Sequence, residues 1–148
     1  MQRTPSVFLL QSILFNDENA KKFLLENKVF YTSLVCPGCD SIMQNNTERW
    51  TFRCPAKRCR KEFSMMKHTF FYGSKLGPSK ILYLAHLWLN CVRTTSAMGL
   101  TGHNSETVAA FYDHFRKLAA DMLNADDQII GGNGIVVEID ETKLGISF

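Results

Sequence analysis

Long apolar runs are what this sequence most plainly lacks: nothing in it approaches the roughly 18 consecutive apolar residues of a membrane-spanning helix. That argues against a membrane as partner. The start Met1-Gln2-Arg3-Thr4-Pro5 also lacks the charged and apolar regions and small-residue cleavage site of a signal peptide. The expected location is intracellular, and nuclear if the source is eukaryotic. The sequence shows no internal repeat and no low-complexity tract, so repeat arrays and compositionally disordered classes are not indicated. What it does have is an ordinary globular balance, 45% hydrophobic and 21% charged over 148 residues, enough for one modest core or two small ones.

A net charge of +3 conceals an uneven distribution. Residues 1–47 carry four basic and four acidic side chains, residues 48–80 nine and two, and residues 81–148 four and eight. The middle block therefore stands at +7 and the last at −4. A short basic block that also holds Trp50, Phe52, Phe63, Phe70, Phe71 and Tyr72 has the composition of a segment that meets phosphates. Its Arg49, Arg53, Lys57, Arg58, Arg60, Lys61 and Lys67 are candidate DNA contacts, with a merely solvated basic face as the alternative.

Punctuation divides the chain into four segments and predicts an α+β protein. Residues 1–33 read as helical. Ser6 to Leu14 is mostly apolar, and Asn16 is an N-cap candidate followed by Asp17 and Glu18, where the helix dipole favours acids. Ala20, Phe23, Leu24 and Asn27 then recur at helical spacing. Residues 34–77 hold two cysteine pairs, turn residues and strand-like stretches such as Thr47 to Arg53, the pattern of a small β ribbon. Residues 78–127 open on the helix-start signal Gly77-Pro78-Ser79 and predict three helices in a helix-turn-helix-like arrangement: to about Cys91, near Thr94 to Met98, and Ser105 to Leu123. In the last, Val108, Phe111, Tyr112, Phe115, Leu118, Ala119 and Met122 share a face. Residues 128–148 contain Gly131-Gly132-Asn133-Gly134 and then a single strand, Ile135 to Asp140.

The cysteines carry the clearest chemistry. Cys36-Pro37-Gly38-Cys39 and Cys54-Pro55-Ala56-Lys57-Arg58-Cys59 give the spacing C-x2-C-x14-C-x4-C. Two turns on separate hairpins deliver four soft ligands to tetrahedral zinc, as in zinc ribbons, and a closed set of four leaves no open position for catalysis. The second loop is longer than the usual two-residue spacer. A disulfide framework is the rival reading, disfavoured for an intracellular chain. Lys57, Arg58, Arg60 and Lys61 would also offset the negative charge of a zinc tetrathiolate, an alternative to their contacting DNA. Cys91, the odd thiol, closes an apolar helix and is expected to be buried. His68, His86, His103 and His114 have no spacing that pairs them with the cysteines.

Beyond these motifs, the order Cys36-Pro-Gly-Cys39, Trp50-Thr-Phe-Arg-Cys54, Arg60-Lys-Glu-Phe-Ser64, Thr69-Phe-Phe-Tyr-Gly-Ser-Lys-Leu76 and Val137-Glu-Ile-Asp-Glu-Thr-Lys143 resembles Merlin-type DDE transposases and their bacterial insertion-sequence relatives. The likeness runs from about Asn16 to Leu144. It implies a DNA-binding zinc ribbon and helix-turn-helix, followed by a ribonuclease-H-like domain that cuts and joins DNA. Asp140 then matches the first carboxylate of the catalytic triad. Such chemistry needs Mg²⁺ ions held by several carboxylates, and Phe148 ends the sequence eight residues after Asp140, so the expectation is a truncated front without catalysis of its own; Mg²⁺ would enter only with a complete catalytic domain. Glu138 shares the strand face of Asp140 and Glu141 the other.

The reading helix departs from the family pattern. Relatives place basic residues near its start, whereas here it reads His103-Asn104-Ser105-Glu106-Thr107. Asn104, Ser105 and Thr107 remain as candidate donors to phosphates or base edges. The unpartnered strand from Ile135 is expected to dock elsewhere or self-associate. A second functional class stays open: a non-enzymatic zinc ribbon in a transcription-related or protein-interaction role.

Overall fold

The computed structural model describes residues 4–122. Among them are five helices and one three-stranded antiparallel sheet, a mixed α+β architecture. The strand expected over Ile135 to Asp140 lies outside the described residues. Residues up to Phe115 form one compact unit.

The N-terminal segment is less helical than its composition suggests. Val7 to Leu10 make turns, and α1 is only Gln11–Leu14. Helix α2, Asp17–Glu26, starts where the capping signal places it: the Asn16 side chain accepts the Asn19 N–H at 3.0 Å, and Asp17 and Glu18 occupy the first turn. Ala20 and Leu24, one turn apart, are its buried residues. It ends in a Schellman motif with Lys28 at φ +58° and the Val29 N–H on the Leu24 carbonyl at 2.9 Å. That reversal sends Phe30, 1% exposed, back into the core.

The sheet is β1, Gln44–Asn46, β2, Thr51–Arg53, and β3, Glu62–Ser64, in that order, with Asn45 opposite Phe52 and Phe52 opposite Phe63. Only the last three of the seven residues in the strand-like run Thr47 to Arg53 are strand. The rest is turn, because Asn46 accepts the Arg49 N–H at 3.0 Å and Trp50 takes a left-handed φ of +55°. Trp50 is thereby turned inward, where its indole N–H donates to Glu18 at 3.0 Å.

Helix α3, Pro78–Leu89, has Pro78 at its first turn and buries Ile81, Leu84 and Leu87 on one face. Its start is capped from a distance: the Asp17 carboxylate accepts the Ser79 N–H at 3.0 Å and the Ser79 hydroxyl at 2.6 Å. Gly77 is required beside it, since a side chain there would run into the Asp17 carboxylate. A second Schellman motif ends α3, with the Cys91 N–H on the Trp88 carbonyl and the Val92 N–H on that of Leu87. Cys91 is the left-handed residue of that motif, at φ +56°, and so it is exposed, contrary to the buried packing its neighbours suggested. Helix α4, Thr94–Thr101, stops at Gly102, φ +71°. Helix α5, Ser105–Asp121, buries Val108, Tyr112 and Phe115, while Leu118 and Met122 on the same predicted face are exposed. The Tyr112 hydroxyl donates to the Val92 carbonyl at 3.0 Å.

One core runs through the ribbon and the helices up to Phe115, and much of it is aromatic. Phe30 meets Trp50 and Phe71 edge-on, at ring-centroid distances of 6.4 and 5.7 Å, and Phe70 lies 5.6 Å from Phe115. Of the six aromatics in the basic block, Trp50, Phe52 and Phe71 are buried, Phe63 and Phe70 half-buried, and Tyr72 exposed. Their first duty is packing. Among the described residues no helix is long and apolar enough to cross a membrane.

Candidate metal centre

Each cysteine pair sits on a tight turn closed by its own backbone. In the first, the Cys36 carbonyl accepts the N–H groups of Cys39 and Asp40, at 3.4 and 2.9 Å, and Asp40 is left-handed at φ +55°. In the second, the Ala56 carbonyl accepts those of Cys59 and Arg60, at 2.9 and 3.1 Å, and Arg60 is left-handed at φ +46°. The two turns have the same shape, with Ala56 standing where Cys36 stands. The long C-x4-C spacer follows from this: the ligand Cys54 sits two residues upstream of its turn, just after β2, held by its N–H on the Lys61 carbonyl at 2.8 Å. The spacing alone gave no sign of that offset.

The four sulfurs converge. Cys36 and Cys59 lie 3.5 Å apart, Cys39 and Cys54 3.4 Å apart, and all four Sγ atoms fall within 4.8 Å of one another. A tetrahedral centre with metal–sulfur bonds of about 2.3 Å has sulfur–sulfur edges of about 3.8 Å, so the donor set fits a thiophilic ion with little adjustment. All five cysteines of the chain are free thiols, and these separations far exceed a disulfide bond of about 2.05 Å. Electrostatically the quartet is divided. The Ser41 hydroxyl and N–H, then Cys54, lower the Cys39 thiol to about 6, whereas burial raises that of Cys54 to about 12. At Cys59 the Lys61 N–H pulls down, but the Cys36 sulfur, burial and Cys39 outweigh it and the thiol rises. Four neighbouring sulfurs cannot all ionise alone, and a divalent cation is what makes that state stable. Ser41, two residues past the first pair, is a local polar partner of Cys39, at 3.4 Å, that ligand spacing does not mark.

The candidate DNA contacts fall into two groups. Arg49, Arg53, Lys57, Arg58, Arg60 and Lys61 are exposed on the β module. Arg53 stands opposite Glu62 on the neighbouring strand, and the Lys61 side chain lies over Gly38 in the first cysteine turn. Lys67 is half-buried, its ammonium 4.2 Å from the Phe63 ring centroid. At the start of α5, Asn104 accepts the Thr107 N–H at 2.9 Å and so acts as an N-cap; Ser105 is exposed and Thr107 half-buried. Among the described residues no histidine joins the sulfur quartet; His114, for one, packs edge-on against Phe70 and Phe111. Asp140, Glu138 and Glu141 lie outside the described residues. No protein-family model, curated protein or solved structure matches the chain.

Proposed function

We propose that this chain is a zinc-stapled DNA-binding module, the DNA-binding front of a Merlin-type DDE transposase, in which Cys36, Cys39, Cys54 and Cys59 hold one structural Zn²⁺. The observation that carries the reading is the convergence of four thiols inside a β module whose outer surface bears six exposed cations. Zinc suits the donor set because a closed tetrathiolate is its commonest structural environment. The metal orders the short strands, and the cations then meet a phosphate backbone as a fixed array. The start of α5 adds little positive charge, with Asn104 engaged as a cap and Glu106 in the first turn, so affinity is expected to rest on the ribbon and to be largely independent of sequence.

The test pairs metal analysis with binding to duplex DNA across a range of salt. One zinc per chain is expected, with an affinity that falls steeply as salt rises. Replacing Arg58, Arg60 and Lys61 together by Ala should lower the slope of log affinity against log salt by about 2 to 3. Absence of zinc, or a salt response shared by the triple variant, overturns the assignment.

One observation favours the protein-interaction reading as the second choice. Phe8, Leu9 and Phe15 expose large apolar side chains, 83, 76 and 61% respectively, around α1, more than a purely phosphate-binding surface needs.

A further inference from the structure

The ribbon carries a small pocket that the reading above does not use. Leu34, Val35, Pro37, Phe63, Lys67 and His68 line a space of about 150 Å³ beside the first cysteine turn. It is smaller than drug-sized ligand sites, which begin near 300 Å³, and fits one flat ring rather than an extended ligand. Its wall is built from the sheet: Phe63 lies on edge strand β3, opposite the buried Phe52, and is itself only half-buried. One ring face is already occupied by a cation, Lys67 Nζ at 4.2 Å from the centroid. Of the lining residues His68, held at φ +64°, is exposed, and Val35 is 55% exposed.

An aromatic face in a partly apolar slot, with a lysine resting on it and an exposed histidine in its lining, has the chemistry of a nucleotide subsite. We propose that this pocket accepts one unpaired base of single-stranded DNA, stacked on Phe63, while Lys67 leaves the ring for the adjacent phosphate. The exchange is favourable because base–aromatic stacking outweighs an exposed cation–π contact, and the lysine trades a neutral ring for an anionic phosphate. Duplex DNA cannot use the site, since its base faces are stacked on each other and only base edges and phosphates are exposed. Pro37 belongs to the first cysteine turn, Val35 pairs with Ile42 across an isolated bridge, and Phe63 is held in β3, so three of the lining residues sit on hydrogen-bonded backbone. The inference rests on the DNA-binding reading and adds a strand preference to it.

The experiment compares the zinc-loaded full chain with Phe63→Leu and Lys67→Met variants on a single-stranded oligonucleotide and on the corresponding duplex. Zinc content and far-ultraviolet circular dichroism show that each variant is folded. Phe63→Leu is expected to weaken single-strand binding about tenfold and to change duplex binding less than about threefold, whereas Lys67→Met, which also removes a candidate phosphate contact, is expected to weaken both forms and the single strand more. An iodouracil placed in the single strand should photo-crosslink within residues 62–68. Equal losses on both DNA forms, no loss on either, or crosslinks only elsewhere overturn the pocket assignment and leave the basic ribbon standing. Failure of the unaltered chain to bind either form removes the nucleic-acid reading and the pocket together.

Discussion

The ribbon and the helices α3 to α5 reach the same end by different means. In the helices, Ile81, Leu84, Leu87, Val108, Tyr112 and Phe115 are buried at helical spacing, so area removed from water holds the element down. The ribbon has strands of three residues each, too short to be stable by pairing alone, and buries Cys36, Met43, Trp50, Phe52, Cys54 and Met65. What it has instead are four converged sulfurs that fit a metal ion and aromatic rings borrowed from outside, such as Phe30 against Trp50. Hydrophobic burial tolerates small losses, whereas a metal centre is present or absent. The two regions should therefore fail in different ways.

Removing the metal tests this most severely. Chelation or Cys54→Ser should abolish the near-ultraviolet signal of Trp50 and the dispersed ribbon resonances, because metal binding in such small sites supplies folding free energy on the order of 10 kcal/mol. Most far-ultraviolet helix signal should persist at a lowered thermal midpoint. Loss of helix and ribbon signals in a single transition would show that the shared core makes them one cooperative unit.

The converse experiment is milder. Leu84→Ala opens a cavity at a fully buried position of α3 and should cost about 2–5 kcal/mol in unfolding free energy. Zinc affinity should stay within a few-fold of the parent, measured by competition with a chromogenic chelator. A large drop in zinc affinity would mean that α3 packing, and not only the cysteine turns, sets the metal geometry.

The smallest effect is electrostatic and joins α2 to the head of α3. Burial tends to raise the Asp17 carboxyl, but the Ser79 hydroxyl and N–H, with Lys21 and Lys80, outweigh it and leave the group below its ordinary 3.8. A depressed carboxyl stabilises the fold above its unfolded value, and that contribution disappears as pH falls through the lower folded one. Asp17→Asn should thus lower the thermal midpoint by a few degrees near neutrality, and the gap should close only below 3.8. A gap that is unchanged with pH would assign the effect to shape rather than charge.

Features that depend on near neighbours were legible in the sequence. The two cysteine pairs, the Asn16 cap and the Pro78 start of α3 each rest on residues a few positions apart, and the pairs converge as their spacing suggests. What escaped were features decided by distant partners or by backbone handedness. The inward turn of Trp50 depends on Glu18, thirty-two residues away, and on a left-handed backbone that no spacing rule announces for a tryptophan. Hydrophobic neighbours made Cys91 look buried, but its place in a helix-ending reversal decided its exposure. Likewise the aromatic content of the basic block was visible, yet composition is silent on which way a ring faces.

Asp17 and Glu18 are adjacent in the chain and serve opposite halves of the molecule: the shorter acid reaches Ser79 at the head of α3, the longer one reaches the indole of Trp50. Successive helix positions point about 100° apart, so one turn of α2 works as a two-armed bracket whose angle is set by the peptide backbone itself. Transposing the two residues would leave mass, composition and net charge untouched and would still place each arm at the wrong reach. Part of the architecture is therefore written in the order of two like charges, a kind of information that any tally of residues discards.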